Sequence, residues 1–269
     1  MPMNFNTLTY EKDGRIGKVT FCRPEVHNAF NATVITEMSS LFTELAGDDE
    51  LRVILLTGAG KSFCSGADLN WMREVIDQSY EQNLAESNAL ANLFYQIYTF
   101  KRPVIGRING AAIGGGTGFV AVCDMAIAAR SAKFSFSEVK IGVVPACIGP
   151  YVIRKMGEGK ARELFITGER MNAERAHQVG LVNKVVDDDK LDEEVNRLIE
   201  SVLGSGPEAV AMAKKLVSET PAMTPEQFRP YTAEMIARLR ISDEGQEGMA
   251  AFLDKRKPSW ITSAESDKE

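Results

Sequence analysis

Three consecutive glycines, Gly114 to Gly116, stand between a β-like run, Val104-Ile105-Gly106-Arg107-Ile108, and an apolar segment, Phe119-Val120-Ala121-Val122, that can begin a helix. Glycine tolerates positive φ and lets the backbone come close to a ligand. The first N–H groups of a helix lack internal partners and carry partial positive charge. Such a junction favours an anion, either a phosphate or the oxygen of a carbonyl that gains electrons during reaction. A dinucleotide fingerprint would need its third glycine where Phe119 stands, so that chemistry is excluded. On their own, the three glycines describe a tight turn between a packed strand and helix at least as well.

A second glycine-rich stretch, G-A-G-K-S-F-C-S-G-A-D-L (Gly58 to Leu69), invites a phosphate-loop reading, but a Walker motif needs glycine at the position of Leu55. Ser65 and Cys64 lack both a G-x-S-x-G elbow and a histidine nearby in sequence, which removes them as nucleophiles. His27 and His177 are assigned to packing or hydrogen bonding. Cys22, Cys64, Cys123 and Cys147 are dispersed and form no C-x-x-C pair, so neither a disulfide framework nor a metal site is expected. Reduced thiols fit a cytoplasmic protein.

The elements that must position these residues follow from pattern. Thr7 to Tyr10 and Gly17 to Phe21 alternate around Glu11-Lys12-Asp13-Gly14 as a hairpin. Asn31 can cap a helix from Ala32 to Leu45, where Val34, Ile35, Met38, Leu41, Phe42 and Leu45 share one face. Arg52 to Thr57 is a nearly continuous apolar run, as in a strand buried on both faces of a parallel sheet. Helices are predicted over Leu69 to Gln78 and Asn83 to Tyr98, and strands at Val104, Met125 to Ala129 and Ala132 to Phe136. Short helices follow over Ala146 to Met156, Ala161 to Thr167 and Ala173 to Val179, then a last strand over Leu181 to Val186. Beyond Leu191 only helical patterns occur: Leu191 to Leu203, Pro207 to Ser218, Pro225 to Arg240 and Asp243 to Lys255. This shift divides the chain into an α/β core, residues 1–200, and a helical appendage, 201–269.

The 269 residues are 44 % hydrophobic and 25 % charged, the composition of an ordinary folded domain. A formal charge of −6 and a pI near 5.2 argue against nucleic acid or an anionic membrane as a general partner. The first residues, M-P-M-N-F-N-T-L-T-Y, show no apolar targeting core, and no later run approaches the length of a membrane span.

Four motifs occur in order: R-P-E-V-H-N-A, S-F-C-S-G-A-D-L, N-G-A-A-I-G-G-G and F-S-F-S-E-V-K-I-G-V-V-P. With them the chain resembles the enoyl-CoA hydratase/isomerase, or crotonase, family over nearly its full length. The resemblance implies an α/β crotonase (ClpP-like) spiral of ββα units with a C-terminal helical trimerisation region, assembled as a homotrimer or hexamer. It implies an acyl-CoA thioester substrate and no separate cofactor, CoA being part of that substrate. The N–H groups of Ala67 and Gly115 would then form an oxyanion hole. Asp68 and Leu69 would lie by the adenine, Arg23 near the CoA phosphates, and Phe252 and Lys255 near the CoA of an adjacent protomer. Without the resemblance, Asp68 fits a helix cap, Leu69 a core leucine and Arg23 a solvated surface side chain.

One departure from the pattern bears on the chemistry. Hydratases of the family commonly carry two glutamates, and here the first position is Gly118 and the second is Glu138. A single glutamate resembles isomerases that move one proton between C2 and C4 of a 3-enoyl-CoA. It also resembles bacterial hydratases of branched or glutaconyl-type thioesters, which Gly66 to Arg73 and Glu138 to Ile153 match most closely. Hydration of a 2-enoyl-CoA, with Glu138 as catalytic acid and base, is therefore expected first. Δ3,Δ2-enoyl-CoA isomerisation is the alternative, and non-catalytic acyl-CoA binding is third. The acyl pocket walls are expected from Met72, Val75, Ile76 and the region Tyr80 to Leu93.

Overall fold

The structure is a computed structural model and describes residues 5–261; the ends of the chain, Met1–Asn4 and 262–269, which include the start of the N-terminal reading and the end of the appendage, lie outside the described residues. Two strands form the opening hairpin, β1 (Leu8–Asp13) and β2 (Ile16–Phe21), with Gly14 at φ +54° in the turn. The turn is tighter than the sequence suggested, because Glu11 to Asp13 pair with β2 and are not part of the loop. Helix α1 (Ala32–Leu45) buries the six apolar residues predicted for its inner face, and Asn31 Oδ1 accepts the Val34 N–H at 3.1 Å.

From there the chain repeats one unit. Strand β3 (Val53–Gly58) is followed by a short strand, β4 (Ser62–Cys64), and by helices α2 (Leu69–Glu74) and α3 (Tyr80–Tyr98). Next come β5 (Val104–Ile108), β6 (Ala111–Ile113) and α4 (Gly115–Val122). The third turn is β7 (Met125–Ala129), β8 (Lys133–Ser135), a 3-10 turn over Ser137–Ile141, and helices α5 (Gly149–Met156) and α6 (Glu158–Thr167). Strand β9 (Arg170–Asn172), α7 (Ala173–Gln178) and β10 (Lys184–Val186) complete the layer. Each turn gives its first strand to a six-stranded sheet ordered β1-β2-β3-β5-β7-β10 and its second to a four-stranded sheet ordered β4-β6-β8-β9.

Because β4, β6 and β8 pair in parallel, their C-terminal ends lie side by side, as ligand-binding strand ends do in parallel sheets. The core of this layer includes Phe21, Phe63, Phe119, Phe134 and Phe136, all almost completely buried.

Several boundaries differ from expectation. Strands β4, β6 and β9 are three residues each, too short to show an alternating pattern. The helix expected after Phe119 starts four residues earlier, inside the glycine triplet. The helix expected over Leu69 to Gln78 ends at Glu74 and gives way to a 3-10 turn, Val75–Asp77. The next helix starts at Tyr80, where Ser79 and Gln82 form a reciprocal capping box. The helix expected from Ala146 begins at Gly149, and the last strand is confined to Lys184–Val186.

Helices α8 (Leu191–Leu203), α9 (Pro207–Glu219), α10 (Pro225–Ile241) and α11 (Asp243–Leu253) follow. By contacts the chain forms two compact units: the first runs through Phe100 and resumes over Val104–Val195, and the second joins Lys101–Pro103 to the chain from Asn196. In the second unit the Glu244 carboxylate accepts the N–H groups of Glu208 and Ala209, both at 2.8 Å, at the start of α9. Arg256 grips Glu247 with both terminal nitrogens at 2.7 Å. Met235 of α10 is buried. No helix among the described residues is long and apolar enough to cross a membrane.

Candidate active site

The segments after β4, β6 and β8 carry Ala67, Gly115 and Glu138. Ala67 sits in an isolated bridge with Phe30: Phe30 N–H donates to Gly66 O, and Asp68 N–H donates to Phe30 O, each at 2.8 Å. That pattern leaves the Ala67 N–H facing away from Phe30. Gly115 is the first residue of α4, so its N–H has no acceptor within the helix. Neither N–H donates to a backbone carbonyl among the described residues.

Two glycines make this junction sterically possible. Gly114 takes φ +54°, ψ −126°, a region that side chains avoid, and turns the chain from β6 directly into α4. At Gly116 a Cβ would stand 2.0 Å from the Cys64 carbonyl oxygen, so only glycine lets the two backbones meet there. The ring of Phe30 covers Gly115, within 2.7 Å of where its Cβ would be. Phe30 thus touches both segments, through its backbone at the Ala67 bridge and its ring at Gly115.

Glu138 lies in the 3-10 turn after β8, and its Oε1 is 3.2 Å from the Cβ position of Gly114. Its Oε2 is buried with no hydrogen-bond partner among the described residues. Burial raises the carboxyl above its ordinary range, against a smaller opposing pull from its own backbone N–H. Strand β8 is tied to α4 by Ser135 O, which accepts both the Gly114 N–H at 2.8 Å and the Thr117 hydroxyl at 3.0 Å. The same buried hydroxyl lies 2.6 Å from Ala112 O. Thr117 and Phe30 escaped the sequence reading, since a lone threonine inside an apolar helix carries no pattern.

The position of the missing glutamate is closed. A Cβ on Gly118 would stand 2.1 Å from Ile148 Cγ2 and 3.1 Å from Phe94 Cζ. The space is filled by hydrocarbon, so a carboxylate cannot enter without displacing both side chains.

Arg23 is not a free surface cation. Its Nη2 donates to Asp68 Oδ2 at 2.7 Å and its Nη1 to Ala29 O at 2.6 Å. Burial alone would raise the Asp68 carboxyl, but Arg23 and the N–H groups of Asn70 and Trp71 hold it below the usual range. Asp68 also caps α2 through Asn70 N–H at 2.8 Å. The pair borders a cavity of about 320 Å³ together with Asn31, Trp71 and Glu74. Leu69 is no core leucine, being 70 % exposed beside this cavity's Asp68 and Asn70. Of the expected pocket wall, Met72 and Val75 are half-buried and Ile76 is exposed. Phe252 and Lys255 lie exposed in the second unit.

Other candidates are structural. His27 Nδ1 is 3.1 Å from Ser62 Oγ, and His177 Nδ1 is 3.1 Å from Val182 O. Asn28, almost completely buried, donates to Ala59 O and Ser62 O and accepts the Arg23 N–H, which explains the R-P-E-V-H-N-A stretch as a scaffold. Burial pushes the Cys64 thiol up to about 12, which suits an inert core side chain.

Two largely parallel sheets fed by successive strand-strand-helix turns, and a helix N-terminus beside the half-buried Glu138 carboxylate, define a crotonase-fold protein. The enoyl-CoA hydratase/isomerase family model matches residues 11–263. The chain is 32 % identical to the crotonyl-CoA hydratase of Syntrophomonas wolfei, over 97 % of this chain and 100 % of that one. It is 31 % identical to the short-chain-enoyl-CoA hydratase of Clostridium acetobutylicum, over 95 % and 97 %. The crystal structure of an enoyl-CoA hydratase from Shewanella pealeana superposes with a TM-score of 0.92 at 38 % identity, covering 95 % of this chain and 96 % of that one. The chain therefore belongs to the enoyl-CoA hydratase/isomerase family and is an enzyme of it.

The closure at Gly118 gives a direct test. Gly118→Ala overpacks the site and should lower stability by about 1–3 kcal/mol in denaturant unfolding. Ile148→Ala should relieve it, so that the double variant is less destabilised than the sum of the singles by at least about 1 kcal/mol. Simple additivity would show that Ile148 does not limit this space.

Proposed function

We propose that the protein hydrates the double bond of a 2-enoyl-CoA thioester with Glu138 as its single acid and base. The observation that carries this reading is the buried, unpartnered Oε2 of Glu138 beside the free N–H at the head of α4. Ionised Glu138 takes a proton from water as the water oxygen bonds to Cβ, and the π electrons move onto the thioester oxygen as an enolate. The N–H groups of Ala67 and Gly115 hold that oxygen. Collapse of the enolate draws a proton from the carboxyl to Cα, which restores the carboxylate. The hydrocarbon at Gly118 is why no second carboxylate takes part. No separate cofactor enters this scheme, since the CoA moiety arrives with the substrate.

Relatives named as hydratases favour hydration over proton transfer between C2 and C4. A single base serves isomerisation equally well, and comparing turnover of 2-enoyl and 3-enoyl thioesters decides between the two. A branched or glutaconyl-type acyl chain is the finer reading, and a methylglutaconyl thioester in the same screen tests it. Absence of turnover with every thioester would leave acyl-CoA binding alone. Asp68 and Leu69 are proposed to border the adenine; Arg23, tied to Asp68, would then fix that edge besides contacting phosphate.

Glu138→Gln keeps the shape and removes the base. Turnover should fall roughly 10²–10⁴-fold while binding of the CoA ester persists. The acidic limb of kcat/KM in the unmodified enzyme should have its midpoint above 4.5, the ordinary glutamate value, because burial favours the protonated form and activity needs the ionised one. A limb at or below that value would remove Glu138 as the base.

Gly115→Pro deletes one donor of the hole, and kcat should drop at least about a hundredfold. Full turnover by the folded proline variant would exclude that N–H from the reaction.

Assembly as a trimer or hexamer is proposed from the second unit, where Phe252 and Leu253 are 83 % and 76 % exposed and Ile236, Ile241 and Met249 are exposed as well. Phe252→Arg together with Leu253→Glu should shrink the particle seen by light scattering. An unchanged mass would refute a role for these side chains in assembly, and with it the placement of Phe252 and Lys255 near a neighbour's CoA.

A further inference from the structure

The far end of α4 is held in an unusual way. The last carbonyls of a helix have no partner within it, and Phe119 to Cys123 are all buried, so water cannot serve them. Cys123 Sγ donates to Phe119 O at 3.1 Å. Lys155, in the last turn of α5, serves two more: its Nζ donates to Cys123 O at 2.7 Å and to Val120 O at 3.3 Å.

An ammonium is an expensive choice for this task. Burial lowers the Lys155 pKa, with Cys123 and Asp124 pulling weakly the other way. The Asp124 carboxylate is engaged elsewhere, accepting the Val104 N–H at 2.7 Å. A neutral amide could donate to the same carbonyls without desolvating a charge. What only the cation adds is a positive charge at the negative end of the helix dipole. Helix α4 has eight residues, so at the usual rise the ammonium lies about 12 Å behind Gly115, with apolar core between them and little ionic screening.

We propose that Lys155 is a positioning residue for the oxyanion hole: its ammonium anchors the C-terminal end of α4 and strengthens the field at the Gly115 N–H, where the enolate oxygen is held. This rests on the hydratase reading, and in particular on Gly115 as a donor. Lys155 touches no substrate and acts through the helix.

The test uses a 3-oxoacyl-CoA, whose enolate absorbs in the ultraviolet where the neutral form does not. Titrating it in the site reads stabilisation of an enolate oxygen without turnover. The intact enzyme should lower the enolate pKa of the bound thioester below that of the free one. Lys155→Gln keeps a donor and removes the charge. It should raise the bound enolate pKa by about one unit, or tenfold less enolate at fixed pH, with a comparable drop in kcat and KM changed by less than about twofold. Lys155→Arg should restore most of both.

Asp124→Asn keeps an acceptor for the Val104 N–H and removes the negative charge beside the ammonium, so it should shift the titration the opposite way. It reads the same field if the glutamine variant does not fold. An enolate titration unmoved in Lys155→Gln, or in Asp124→Asn when that variant alone folds, overturns the role of the charge, as does equal loss in Lys155→Gln and Lys155→Arg. If the intact enzyme fails to lower the enolate pKa, the oxyanion-hole reading itself is wrong and the inference falls with it. If the intact enzyme lowers it and Lys155→Gln leaves it there, only the inference falls.

Discussion

Everything at the site depends on the backbone of Gly116 lying against the carbonyl of Cys64. With a Cβ position 2.0 Å from that oxygen, any other residue would push β4 away from the head of α4. The two candidate donors, Ala67 just beyond β4 and Gly115 at the start of α4, keep their relation only while this contact holds. It is maintained from outside by parallel pairing of β4, β6 and β8 and by the Thr117 hydroxyl, which lies against carbonyls of two of those strands. A repeated strand-strand-helix turn thus becomes a device for lining up three loop segments at one height.

The electrostatics of the site follow from the same arrangement. Burial disfavours the ionised form of Glu138, whereas the N-terminal end of α4 next to it favours negative charge. These opposing influences leave a carboxyl that can both accept and return a proton, as a single-base mechanism requires. Ile148 and Phe94 fill the space at Gly118 with hydrocarbon, so no second carboxylate stands there. At the other end of the helix Lys155 and Cys123 satisfy carbonyls that the apolar sequence of α4 leaves open.

Arg23 shows how a motif residue can serve structure and site together. Its guanidinium is committed to Asp68 and to Ala29 O, and Asp68 in turn caps α2. The ion pair is largely enclosed, so removing one partner would leave a buried charge alone.

The sequence by itself determined the chemistry-bearing types and their order. Gly114 to Gly116, the S-G-A-D turn and Glu138 stand in the ordered motifs through which the chain resembles its family, while alternating strand-like and helical runs indicated the α/β class and the patterns after Leu191 its helical end. Spacing also excluded a dinucleotide loop at Phe119 and a phosphate loop at Leu55. Long amphipathic elements such as α1 were legible because six side chains at helical spacing must share one face. Only the tertiary structure decided that α4 begins at Gly115, because a positive φ at Gly114 cannot be read from a glycine that is merely permitted to adopt it. It alone showed Ile148 and Phe94 filling the space at Gly118, Arg23 tied to Asp68, and Lys155 reaching the end of α4. Those relations join residues distant in sequence, and which of them come into contact is set by how the turns of the spiral stack, information that local spacing does not carry.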